Sequence, residues 1–403
     1  MSDERVCVLG VGYVGLPAAI LLARSGCSVL GVDVNARRVE EVNSAVLHLG
    51  EKELAEILRE PAVRRNLRAD TKPAEADAFL IAVPSPLDHR KKIADLSYVV
   101  AAVESIVPVL RKGNIVIVES TVPPLTCRDV VAPIVKRSGL EPGRDVLLAH
   151  CPERILPGNV FHEIVHNDRV IGGTTREAGE RARDLYARFV KGALFLTDDV
   201  TAEMVKLLEN TYRDVNIALA NEIAAVAETL GIDPLEMIDL ANRHPRVNLL
   251  KPGIGVGGHC IPLDPWFIKE VDPANSRLIF AARLINDGQP AKIAAKIRRH
   301  LREQADPSIV AVGATYKANV PDERESPAME IVAALREDGY RVAHYDPLLE
   351  GMRYDSLETI VRGADCLAVL VEHEVVAEDL RRNGDAIRAA MRTPVVMRFY
   401  VRG

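Results

Sequence analysis

The chain has 403 residues, of which 48% are hydrophobic and 27% charged, and its formal net charge is −6. That length and balance predict two or three globular domains and exclude a disordered chain, while the acidic sign argues against a nucleic-acid or anionic-membrane surface. No basic-then-apolar leader opens the sequence, no apolar run approaches a membrane span, and the six cysteines are scattered without a CxxC pair; the expectation is a cytoplasmic protein with no disulfide framework and no metal site.

Strand-like apolar runs occupy residues 6–10, 29–32, 78–83, 115–118 and 146–149, with helical patterns at 16–25, 96–110 and 127–137. Strands alternating with helices predict a parallel sheet covered on both faces. A further strand–helix–strand unit is expected at 169–171, 176–190 and 193–196. The pattern then turns helical: one uninterrupted helix from Thr201 to Leu230, closed by Gly231, a shorter one at 234–241, and a long one at 276–304 that Gly288 and Pro290 can break. Strands at 309–312, 341–345 and 366–371 with a helix at 328–337 return the chain to α/β. The predicted fold is α/β: two Rossmann-like doubly wound domains, 1–198 and 301–403, joined by a long central helix and a helical dimerisation region within 199–300.

Gly10-Val11-Gly12-Tyr13-Val14-Gly15 follows the first strand and opens a helix, and the second strand ends in Asp33, 21 residues after Gly12. The glycines permit a tight turn and close approach to a pyrophosphate at a helix N-terminus, and Asp33 can bond a ribose 2′-hydroxyl. A carboxylate there repels a 2′-phosphate, so NAD is favoured over NADP, with Arg37 and Arg38 nearby as a counter-indication. Val83-Pro84-Ser85-Pro86 and Glu119-Ser120-Thr121 also sit at strand ends, where open α/β sheets bind ligands.

The densest chemistry is Lys251-Pro252-Gly253-Ile254-Gly255-Val256-Gly257-Gly258-His259-Cys260, followed by Asp264-Pro265. So many glycines imply unusual dihedrals or close ligand approach, and Cys260 beside backbone N–H groups is a candidate nucleophile. Asp264 before a proline can cap a helix, face the site, or do both. On the long helix, Lys206, Asn210, Arg213 and Asn221 share one face and Val205, Leu208, Tyr212, Val215 and Leu219 another. The polar stripe is either solvated or functional; the apolar stripe needs cover, which predicts a dimer seam.

These features, together with Cys151-Pro152-Glu153-Arg154, Lys317 and Arg324-Glu325-Ser326-Pro327, resemble the UDP-glucose/GDP-mannose dehydrogenases along essentially the whole chain. Glu203-Met204-Val205-Lys206, the stretch 241–248 with His244 and Arg246, and the Gly257–Cys260 segment with His259 look like the branch acting on UDP-N-acetylmannosamine. The resemblance implies NAD-dependent, four-electron oxidation of the sugar C6 alcohol to a carboxylate through a Cys260 thiohemiacetal and thioester. It implies catalytic roles for Lys206, Asn210 and Asp264, with Thr121 and Glu153 handling water and protons. NAD would be held by residues 10–15, Asp33, Arg38, Pro84, Ser85, Thr121 and Arg324. The nucleotide sugar would be held by Glu153, Arg154, Lys206, Asn210, Arg213, His244, Arg246, Gly253, Gly257, His259 and Lys317, with Arg246 reaching the partner's site in a homodimer. The sequence departs from the family pattern at Ser85, Tyr316 and Pro321. UDP-N-acetylglucosamine or UDP-glucose remains the alternative substrate, and a two-electron hydroxyacid dehydrogenase or a non-catalytic NAD sensor the alternative function.

Overall fold

Runs such as Ala78–Ile81 and Asn114–Val118 carry no polar alternation, and a strand of that kind is stable only when both of its faces are covered. The computed structural model describes residues 4–46, 52–154 and 160–399. Its strands are β1 (Arg5–Leu9), β2 (Ser28–Val32), β3 (Leu67–Asp70), β4 (Ala78–Ile81), a hairpin of β5 (Leu87–Asp88) and β6 (Ile93–Ala94), β7 (Asn114–Val118), β8 (Val146–His150), β9 (Arg169–Gly173), β10 (Leu194–Asp198), β11 (Ser308–Val312), β12 (Arg341–Tyr345), β13 (Cys366–Val369) and β14 (Val395–Arg398). They build an eight-stranded sheet in the order β10-β9-β8-β7-β4-β1-β2-β3 and a four-stranded sheet in the order β12-β11-β13-β14.

The chain divides into two units, Met1–Glu209 with Trp266–Pro273, and Asn210–Pro265 with Ala274–Gly403. In the first, Val6, Val8, Leu80 and Ile117 pack into one core while Cys7, Leu9, Phe79, Ile81 and Val116 pack into another, the period-2 signature of a sheet buried on both faces. In the second, Ile309, Ala311 and Cys366 face one core and Val310, Val312 and Leu367 the other. The α/β expectation is therefore met, with one difference: β8 and β9 are antiparallel, pairing Ala149 with Gly173 and His150 with Gly172. A strand's own residues carry no direction, so the sequence reading had no signal for it.

The long helix runs Asp199–Leu230, two residues earlier at its start than its sequence pattern predicts. The expected break at Gly288 is present, dividing Arg277–Asp287 from Gln289–Leu301, with Pro290 in the first turn of the latter. The helix Glu374–Ala390 and strands β3 and β14 had no counterpart in the sequence reading. Among the described residues no helix is long and apolar enough to cross a membrane.

Candidate active site

The turn after β1 is shaped by glycine. Gly10 has φ +91°, and a Cβ there would lie 2.5 Å from the Ala82 carbonyl oxygen; a Cβ on Gly15 would lie 2.0 Å from the Gly10 oxygen. The helix Gly15–Arg24 therefore starts hard against the sheet, and its N-cap, Val14, has no side chain able to accept from its first N–H groups. Asp33 at the end of β2 accepts from Val11 N–H at 3.2 Å and Asn35 N–H at 2.9 Å, so its carboxylate is fixed beside the turn. Arg38 lies next to Gly12. A glycine turn opening an uncapped helix, with an acid one strand over, fits a dinucleotide. Ser85 donates to the Thr121 carbonyl, and Ser120 donates to the Val83 carbonyl at 2.6 Å. These bonds tie the loops after β4 and β7 together and bring Pro84, Ser85 and Thr121 to one edge of the sheet.

Beneath that edge lies a buried ionic group. Arg169, on β9, donates to the Glu153 carboxylate at 2.7 Å, and its guanidinium lies 5.1 Å from the centre of the Tyr186 ring. Tyr186 donates its hydroxyl to Glu119 at 2.6 Å. Burial lifts the Glu119 carboxyl to about 7. Arg154 pairs with Glu209 at 2.5 Å. The reading from sequence had Glu153 and Arg154 but neither Arg169 nor Tyr186, whose contacts span 16 or more residues of chain.

In the second unit the cysteine loop is seated on the segment around Tyr316 and Arg324. Gly258 N–H donates to the Arg324 carbonyl at 3.1 Å. A Cβ on Gly257 would meet the Glu325 carbonyl oxygen at 2.4 Å, and one on Gly258, at φ +85°, the Tyr316 ring at 3.0 Å. Only glycine allows that approach. Cys260 is exposed while the other five cysteines are buried. Its carbonyl accepts from Leu263 N–H at 3.1 Å and Asp264 N–H at 3.0 Å, a turn that leads into the helix Asp264–Val271. Asn210 donates its amide to Asp264 at 2.6 Å, with both side chains buried. Gly253 N–H donates to Asn221 at 2.8 Å, and Asn221 donates to Asn286 at 3.0 Å, anchoring the start of the loop. Partial enclosure and then the Arg324 charge push His259 below its ordinary value.

The same chain matches three consecutive family models: the NAD binding domain of the UDP-glucose/GDP-mannose dehydrogenase family at residues 4–190, its central domain at 200–288, and its UDP binding domain at 310–400. The chain belongs to the UDP-glucose/GDP-mannose dehydrogenase family. It is similar to a UDP-N-acetyl-D-mannosamine dehydrogenase of Methanocaldococcus jannaschii, 47% identical over 92% of this chain and 86% of that one. It is similar to an NDP-N-acetyl-D-galactosaminuronic acid dehydrogenase of Ralstonia solanacearum, 42% identical over 92% and 91%. Among solved structures, the UDP-D-ManNAc dehydrogenase from Pyrococcus horikoshii superposes with a TM-score of 0.90 at 40% identity, covering 97% of this chain and 94% of that one.

Within this dehydrogenase the polar stripe of the long helix is turned inward. Lys206, Asn210 and Asn221 are buried, whereas Leu208 and Tyr212 are 57% and 55% exposed, as are Leu219, Val226 and Leu230 in large part. Arg213 is the exception on the polar side and is exposed. His244 and Arg246 lie exposed on a loop whose two feet are joined by Asn242: its amide donates to the Leu249 carbonyl at 3.0 Å, and Leu249 N–H donates back at 2.7 Å. Lys317 is exposed on the loop after β11, and Arg324 folds onto Asp322 at 2.6 Å.

One metal-like grouping exists among the described residues: Cys127, His150 and Glu203 bring a possible ligand atom each to within 4.8 Å of one another. Glu203 accepts from Leu125 N–H at 2.6 Å and Cys127 N–H at 2.9 Å, and burial lifts it to about 7. Burial, followed by the Glu203 charge, also pushes the Cys127 thiol far up. The Glu203 carboxylate thus satisfies N–H groups at the start of the helical segment that begins at Cys127.

Proposed function

We propose that this dehydrogenase oxidises C6 of UDP-N-acetyl-D-mannosamine to the uronate in two successive two-electron steps on one site. The observation that carries the reading is the exposed Cys260 at the head of a turn whose Asp264 is held by the buried amide of Asn210. NAD, held at the turn at residues 10–15 with Asp33, Arg38, Pro84, Ser85, Thr121 and Arg324, would supply hydride acceptance, one hydride per molecule, with a second NAD replacing the first NADH between the two oxidations. The chain's own residues do the rest. As the first hydride leaves C6, the hydroxyl proton passes to a base and an aldehyde forms. Cys260 Sγ adds to the aldehyde carbon, with the proton going to its oxygen. As the second hydride leaves, the thiohemiacetal hydroxyl proton passes to a base and a thioester forms; water cleaves it, with Asp264 taking the water's proton and the thiol returned. The covalent link keeps the half-oxidised sugar from escaping between steps. Lys206 and Asn210 stabilise the oxyanions, and Thr121 and Glu153 order water and protons. Arg154, Arg213, His244, Gly253, Gly257, His259 and Lys317 hold the nucleotide sugar.

Stretches 1–198, 199–300 and 301–403 then serve NAD, dimerisation with the cysteine loop, and the UDP-sugar. The exposed apolar stripe on the long helix supports a homodimer, and the tethered loop offers Arg246 to a partner's site. A cytoplasmic setting suits an exposed thiol that must stay reduced. The relative named for a galactosaminuronate sugar keeps that sugar as a second reading, beside UDP-N-acetylglucosamine and UDP-glucose. Incubation of the enzyme with each UDP-sugar and NAD, reading NADH per sugar, tests the substrate: two equivalents with the mannosamine sugar are expected, and turnover of another sugar alone overturns the assignment. One equivalent from a fully active Cys260→Ser variant would instead indicate a two-electron enzyme.

A further inference from the structure

Asp346 and His373 are both fully buried in the second unit and stand 3.0 Å apart, Nε2 to carboxylate. Neither has been given a task by the chemistry above. Apart from one bond within the turn after β12, their remaining side-chain bonds go to a single loop, residues 313–319, at the carboxyl end of β11. The Asp346 carboxylate accepts from Ala314 N–H at 2.7 Å and Thr315 N–H at 3.3 Å, and on its other oxygen from Leu348 N–H at 2.8 Å. His373 Nδ1 accepts from Asn319 N–H at 2.9 Å. Asn319 sits at φ +63°, and its side chain accepts from Glu374 N–H at 2.9 Å. Between these points Thr315 donates its hydroxyl to the Lys317 carbonyl at 3.0 Å, and Lys317 itself is exposed.

The bond from Asn319 N–H requires a lone pair on Nδ1, so the ring proton is on Nε2 and is donated to Asp346. The imidazole thus joins the far end of the loop to the carboxylate that holds its near end. A buried polar group that is fully bonded rigidifies what it touches. An aspartate and a histidine are costly to bury, and an apolar pair would fill the same space without that cost. What they add here is a fixed backbone under one exposed cation.

We propose that the Asp346–His373 pair is a positioning device for the Lys317 loop, holding it in the shape that receives the diphosphate of a nucleoside diphosphate. This rests on the reading of the second unit as the UDP-sugar side of the enzyme. Neither residue is catalytic; both act through backbone N–H groups.

The experiment is calorimetric titration of the full-length protein with UDP, alongside steady-state kinetics. His373→Gln keeps a donor toward Asp346 but loses the acceptor for Asn319; His373→Asn keeps an acceptor at the Nδ1 position. Losing the loop bond should weaken UDP binding by about tenfold in His373→Gln and raise KM for the nucleotide sugar in step, with KM for NAD unmoved, while His373→Asn recovers most of the loss. Hydrogen exchange of the unaltered enzyme provides a measurement independent of variant folding: the amides of Ala314 and Asn319 should exchange slowly before UDP is added. Fast exchange at those amides overturns the proposal, as does wild-type UDP affinity in a folded His373→Gln when Lys317→Ala binds weakly. Failure of the unaltered enzyme to bind UDP at all would instead remove the reading beneath it.

Discussion

The Asn210 amide donates to the Asp264 carboxylate at 2.6 Å, and both side chains are buried. Asparagine is a poor helix former without a side-chain partner, and this bond explains its place in the middle of a 32-residue helix. Asn210→Ala withdraws one donor from a buried carboxylate, which disfavours its charged form. The expected result is a fall in kcat of about a hundredfold, larger for thioester hydrolysis than for the first oxidation. Rapid-quench measurement of NADH release separates the two steps; equal loss in both would contradict a hydrolytic role for Asp264.

Gly257→Ala should unfold the cysteine loop from its support. The new methyl group would stand 2.4 Å from the Glu325 carbonyl oxygen and 2.7 Å from Tyr316 Cβ, both too close for any rotation to relieve. A loss on the order of 2 kcal/mol is expected, read as a lower urea midpoint, together with loss of activity. Gly253→Ala, whose Cβ would come no nearer than 3.8 Å to its neighbours, is the matched substitution and should unfold near the wild-type midpoint.

Asp33→Asn removes the charge that would repel a 2′-phosphate and keeps an acceptor for one of the two N–H groups, Val11 or Asn35, that bond the separate carboxylate oxygens. The ratio of kcat/KM for NADP to that for NAD should rise by about tenfold or more. An unchanged ratio would move discrimination to Arg38 and its surroundings.

Glu119 gives the folded protein a pH signature. Its carboxyl is lifted by burial to about 7, whereas an unfolded glutamate ionises near 4.3. Between those values the folded state holds a proton that the unfolded state releases, so this group's contribution to stability falls as pH rises from about 4 to 7 and is level above that. The size is on the order of 3 kcal/mol. Glu119→Gln should flatten urea midpoints across that window; the same slope in the variant would assign it to Glu203, which is lifted to about 7 by its own burial.

The parts legible in sequence were those whose physics is local. The turn at residues 10–15 and the acid at Asp33 are read from a strand, a helix start and a spacing, and the break at Gly288 from helix propensity. The long helix was legible as a helix with two faces, but which face goes inside was not. Lys206, Asn210 and Asn221 are enclosed beside the buried Leu207, while Leu208, Leu219 and Leu230 are out; the amides can go inside because Asn210 and Asn221 find partners at Asp264, Asn286 and Gly253 that lie 32 to 65 positions away. The Arg169 pair with Glu153 and the Asp346–His373 pair were invisible for the same reason: a buried ion is stabilised by its partner, and the partner is chosen by the fold.

Asn242 grips both the carbonyl and the N–H of Leu249, so the residues between them form a closed ring with fixed feet. Such a segment is a cassette. Its interior, which carries Arg243, His244 and Arg246, can be exchanged for stretches of other composition or length at an entropic cost that grows only slowly with length. On the proposed substrate role of His244 and Arg246, a library confined to 243–248 is expected to shift sugar preference, read as the relative NADH yield from each UDP-sugar.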